Sequence, residues 1–134
     1  MQIDEKTLRT FHDSLGRSNA NPAFLDRFYE IFLAASPKVR EKFAQTDFTR
    51  QKEALRGSLH AMFLAVEGAP ERHLNRLAER HSSRDLNIGA ELYDLWLDSL
   101  LAAARECDPD FSPEVEESWE KVMMVGIGFL LSRY

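Results

Sequence analysis

Cysteine is almost absent from this chain. Cys107 stands alone, and one thiol can neither close an internal disulfide nor form a Cys-pair metal or redox site. A disulfide-stapled secreted scaffold is therefore excluded, a reducing compartment is expected, and Cys107 reads as a small apolar filler near a helix end. Long apolar runs are equally scarce. The longest uncharged one, VMMVGIGFLL at 122–131, has ten residues, about half of what a helix needs to cross a bilayer, so it reads as a buried helix end. The opening residues, MQIDEKTLRTFHDS, carry acidic groups and no apolar centre, which does not suit a secretory leader. No Lys/Arg cluster with interleaved aromatics appears and the net charge is −5, so no nucleic-acid groove is expected. A cytoplasmic protein without membrane or nucleic-acid partners is the expectation. Strand signals are missing too: there is no sustained alternation and no Asn-Gly or Asp-Gly hairpin.

What remains is helix. The 134 residues, 44% hydrophobic and 29% charged, suit one domain over 1–134 with a continuous core. Asn21-Pro22, Ser36-Pro37 and Ser112-Pro113 each pair a capping residue with a proline fit for a first helical turn, where its missing N–H costs nothing. Apolar spacing predicts helices over about 4–16, 21–35, 48–67, 70–82, 90–106 and 113–132, with a short turn of helix from Pro37 to about Phe43. The inward stripes are Leu8, Phe11 and Leu15; Phe24, Leu25, Phe28, Phe32 and Leu33; Leu55, Leu59, Met62 and Val66; Leu74, Leu77 and Ala78; Leu92, Leu95, Trp96 and Leu100; and Val115, Trp119, Val122 and Phe129. Any all-α bundle satisfies this much.

Helical position separates the four histidines. Leu74, Leu77, Ala78 and His81 follow i, i+3, i+4, i+7, so His81 ends an apolar stripe, where a neutral imidazole needs a hydrogen-bond partner or a metal. His60 lies nine residues after Gln51, about 180° around the same helix; if one faces inward the other faces solvent. His12 and His73 sit at stripe edges. No His-Glu-x-x-His and no carboxylate–histidine spacing suggests a bare zinc or di-iron site. An inward histidine on its own is either a satisfied core residue or a ligand, and a ligand role needs a macrocycle to supply the remaining iron bonds.

Five stretches supply a context. Phe28 to Phe43, FYEIFLAASPKVREKF, resembles helix B through helix C of the globin family, with Pro37 opening helix C and Phe43 in the place of the phenylalanine that packs on haem. Gln51-Lys52-Glu53-Ala54-Leu55 resembles the start of distal helix E. Leu77-Ala78-Glu79-Arg80-His81 looks like helix F ending on the proximal histidine, and Leu86 to Tyr93, LNIGAELY, is similar to the corner leading into helix G. Ser118-Trp119 falls where bacterial globins carry a similar pair in helix H. The likeness spans about 20–134 and is nearest to bacterial single-domain haemoglobins and the globin domain of flavohaemoglobins.

The resemblance implies an all-α globin fold, helices A-B-C-E-F-G-H in a three-on-three sandwich around haem b (iron protoporphyrin IX). It also implies reversible binding of oxygen, or of NO or CO, at a pentacoordinate iron, in an oxygen-transport or scavenging role. His81 would hold the iron, with Phe43, Leu55, Leu77, Ile88, Leu92 and Tyr93 lining the haem and Arg84 meeting a propionate. On the distal side Tyr29 and Gln51 are the implied hydrogen-bond donors; a register shift by one residue would bring in Lys52 instead. In flavohaemoglobins a tyrosine early in helix G and a glutamate late in helix H polarise the proximal histidine. Tyr93 matches the tyrosine, but the glutamate position falls on Tyr134, which implies a weaker electron push and less peroxide-cleaving chemistry. The alternatives are nitric-oxide dioxygenation, which needs a separate reductase because no flavin or nicotinamide domain follows, and gas sensing. Monomer and homodimer both stay open.

Overall fold

Four of the six described helices start at a short polar side chain that can be followed to the bond it makes. In the computed structural model, which describes residues 3–67 and 89–132, Asp4 accepts the Thr7 N–H at 2.8 Å and opens α1 (Glu5–Ala20). Ser36 accepts the Lys38 N–H at 3.1 Å, with Pro37 in the first turn, and opens α3 (Pro37–Lys42). Asp47 accepts the Thr49 N–H at 3.0 Å ahead of α4 (Phe48–Glu67). Ser112 takes the Val115 N–H at 3.2 Å at the start of α6 (Pro113–Ser132). Between them lie α2 (Phe24–Ala35) and α5 (Ala90–Cys107). No strand occurs among the described residues.

Two boundaries differ from the sequence reading. Helix α1 continues to Ala20 rather than stopping near 16, carrying Ser18 into the core. Helix α2 begins at Phe24, not 21, because Asn21 builds a turn of its own. Its N–H reaches back to Ser18 O at 3.1 Å, and its side-chain oxygen accepts the Ala23 N–H at 2.9 Å. Pro22 therefore sits in the α1–α2 corner, outside the helix. The expected helix over 70–82 and its stripe lie outside the described residues.

The core follows the predicted stripes. Phe11, Phe24, Phe28, Leu59, Leu100, Trp119 and Val122 are essentially inaccessible to solvent, and each such side chain contributes roughly 1.5–3 kcal/mol by leaving water. Helix α2 packs chiefly on α5, α1 and α4 on α6, and α5 on α6. Gly126 permits the α4–α6 approach: a Cβ there would lie 2.2 Å from Met62 Cε.

A buried polar chain ties the first helix to the last two. The Trp119 indole N–H donates to Ser14 Oγ at 2.8 Å, and the Ser14 hydroxyl donates to Asp108 Oδ2 at 2.5 Å. The Arg17 guanidinium donates to both Asp108 oxygens, at 2.6 and 3.0 Å. Burial alone would push the Asp108 carboxyl up; Arg17, Ser14 and the Asp110 N–H together hold it below its ordinary value. The α5–α6 corner is thereby fixed from α1, with Asp108 completely enclosed.

Candidate functional site

The corner after α2 brings three stretches of chain together. Arg40 on α3 donates to Leu33 O at 2.9 Å, satisfying a carbonyl at the end of α2 and holding α3 against it. Phe43 closes α3, with its N–H directed to the Val39 and Arg40 carbonyls. Asp47 then starts α4 and accepts the Gln51 N–H at 3.0 Å, fixing where on the first turn Gln51 falls.

Tyr29 is the centre of this corner. It is 95% buried, and its ring meets the edges or faces of Phe28, Phe43 and Phe48 at centroid distances of 4.8, 5.9 and 5.3 Å. Phe43 also lies 6.1 Å from Phe48 and 5.9 Å from Phe32. All but the tilted Phe43–Phe48 pair are edge-on, and such pairs fix ring orientation beyond their contribution from burial. Burial pushes the Tyr29 phenol up to about 12, and the Gln51 side chain beside it draws it partly back.

Lys52, the alternative distal residue, has a different partner. Its ammonium lies 2.6 Å from Asp26 Oδ1, on the more exposed side of α2. His60 is exposed, as its half-turn offset from Gln51 requires, and His12 lies on the surface with its ring 4.7 Å from Phe63.

The other sequence-derived residues divide cleanly. Leu55, Leu92 and Tyr93 are buried in the hydrophobic core, with Phe43 partly buried against it. Burial raises the Tyr93 phenol above its ordinary value. Leu77, His81, Arg84 and Ile88 lie outside the described residues, as does Tyr134. Phe48 and Trp96, whose rings join the cluster through Tyr29 and Phe28, were not assigned a site role by the sequence; Trp96 is 6.4 Å from Phe28. Phe48 could have been found, since it stands seven residues before Leu55 on the α4 stripe. Among the described residues no cluster of His, Cys, Asp or Glu is arranged to hold a metal by itself, and none of the helices is long and apolar enough to cross a membrane.

Comparison with known proteins places this corner in a family. The Globin family pattern matches residues 26–128, more than half of the chain. The chain belongs to the globin family. Its six described helices, α1 to α6, then stand in the places of helices A, B, C, E, G and H of an all-α globin fold. Among solved structures, this globin is similar to a Pseudomonas aeruginosa PAO1 protein described as structurally highly homologous to a human haemoglobin. The two share 41% identity and a TM-score of 0.93, over 96% of this chain and 98% of that one. No curated protein matches it.

Proposed function

We propose that this globin is a haem protein that takes up a diatomic gas, oxygen first among them, reversibly and on its Tyr29 side. The observation that carries the reading is the Tyr29 phenol itself, buried among three aromatic rings with the Gln51 side chain beside it. The donor set fits the open face of a haem, because a gas bound there needs one or two oriented donors inside an otherwise apolar wall, and Phe43, Phe48 and Leu55 belong to that wall.

Haem, when bound, would supply an iron able to take up the gas. His81 would hold it through Nε2, its other ring nitrogen donating to fix the tautomer. Leu77, Ile88, Leu92 and Tyr93 would complete the wall, and Arg84 would meet a propionate. The chain's work is to orient and to keep dry. Tyr29 is held by three aromatic neighbours, so its hydroxyl loses little freedom on meeting a ligand. A donor in such a desolvated place discriminates between gases by how much negative charge each accumulates, which favours oxygen over CO. The likeness to a structure described as homologous to a human haemoglobin supports the same reading.

The test is an absorption spectrum of the reduced protein cycled between argon and air. Repeated, reversible shifts of a strong Soret band are expected; irreversible oxidation in the first cycle, or no Soret band, would refute the reading.

A further inference from the structure

The two helices that carry the distal pair are joined by three side-chain links, one of which stays outside the site. Helix α4 makes its principal close backbone approaches to α6 and α1 rather than to α2. Its first turn meets α2 through side chains: Phe48 with its ring 5.3 Å from that of Tyr29, Gln51 beside the Tyr29 phenol, and Lys52 on Asp26. Asp26 and Tyr29 are three residues apart, neighbours on one face of α2, while Gln51 and Lys52 are consecutive. An ion pair therefore sits one turn along α2 from the Tyr29–Phe48 ring contact, on the residue next to Gln51.

We propose that the Asp26–Lys52 ion pair is a latch that positions Gln51. With Lys52 held by Asp26 at 2.6 Å, rotation of the α4 first turn away from α2 is opposed, and the Gln51 amide stays on Tyr29. Asp26 and Lys52 are positioning residues; neither enters the site. The side chains of Lys52 and Asp26 are 33% and 56% exposed, so the pair adds little to global stability and is weakened by salt. That makes the latch adjustable: ionic strength, or loss of either charge, loosens the distal pair without unfolding the protein.

The proposal rests on Tyr29 and Gln51 acting on the gas, and its test separates the two. The variants are Asp26→Asn, Lys52→Met, Lys52→Arg and the exchanged pair Asp26→Lys with Lys52→Asp, each in the haem-loaded protein. In low salt, Asp26→Asn and Lys52→Met release oxygen about two- to tenfold faster, the size of effect a partly exposed charge pair can exert. Lys52→Arg and the exchanged pair stay near the parent rate. Salt at about 1 M speeds release by the parent but not by the neutral variants, because the Debye length falls to roughly 3 Å. Nuclear magnetic resonance of the Gln51 side-chain amide gives a readout independent of gas kinetics: its protons exchange with water faster in Asp26→Asn and Lys52→Met.

If Tyr29→Phe speeds oxygen release while Asp26→Asn and Lys52→Met leave both the rate and Gln51 exchange at parent values, the latch is refuted and the distal reading stands. If Tyr29→Phe changes nothing, the distal reading fails, and Gln51 exchange alone decides whether the latch exists.

Discussion

The Gln51 side chain stands beside the Tyr29 phenol, across the gap between the start of α4 and the middle of α2. Neither residue could do this from a different register. Asp47, by capping α4 and taking the Gln51 N–H, sets which side chain of the first turn faces α2.

Tyr29→Phe is expected to speed oxygen release by about 5- to 150-fold, the equivalent of a lost desolvated hydrogen bond of roughly 1–3 kcal/mol. Release of CO should change far less, since CO accepts the bond weakly. Flash photolysis and stopped-flow mixing measure both. Equal acceleration for the two gases would make Tyr29 a packing residue.

The same phenol gives a pH signature. Its value stands at about 12 against an ordinary 10.0. A folded-state value raised in this way favours the folded chain fully below about pH 10, and that contribution is lost as pH rises through about 12. Ultraviolet titration should show late-titrating tyrosines, one fewer in Tyr29→Phe, with Tyr93 still titrating late. Gln51→Leu should shift the Tyr29 phenol higher still, because the side chain that draws it down is gone; a downward shift would mean that Gln51 does not favour the phenolate.

Much of this was legible in the sequence, for physical reasons that differ by region. The apolar stripes of α1, α2, α4, α5 and α6 are local and periodic, so Phe11, Phe28, Leu59, Leu100 and Trp119 could be placed inside from spacing alone. The globin likeness supplied Tyr29 and Gln51. Asn21-Pro22 misled because a capping residue before proline suits a helix start and a turn equally well; the side-chain bond to Ala23 decided it. The chain from Trp119 through Ser14 to Asp108 was invisible, since it joins residues 105 and 94 positions apart. Serines 14 and 18 on a helix otherwise read as surface residues.

Asp108→Ala should cost on the order of 3–5 kcal/mol in urea unfolding, because it strands the Arg17 guanidinium and the Ser14 hydroxyl beside the core. The acid limb follows from the same site. Asp108 is held below its ordinary 3.8, so its contribution is complete above about pH 4 and fades as pH falls further. In Asp108→Asn that part of the acid dependence should flatten; an unchanged limb would place the acid sensitivity elsewhere.

Glycines 16 and 126, both within helices, should respond oppositely to alanine. A Cβ at Gly126 would fall 2.2 Å from Met62 Cε and 3.1 Å from its Cγ, with Met62 itself buried, so Gly126→Ala should destabilise by about 1–3 kcal/mol. At Gly16 nothing lies within 4 Å, and Gly16→Ala should stabilise by roughly 0.5–1 kcal/mol through backbone entropy. Thermal melts read both; a neutral Gly126→Ala would mean that Met62 yields freely.

The central claim is a haem held by His81, and the most direct measurement is the absorption spectrum of the parent protein beside that of His81→Ala, each with and without imidazole. The account predicts an intense Soret band in the parent, its loss in His81→Ala, and its return when imidazole fills the space of the missing ring. An unaltered Soret band in His81→Ala without imidazole would contradict it.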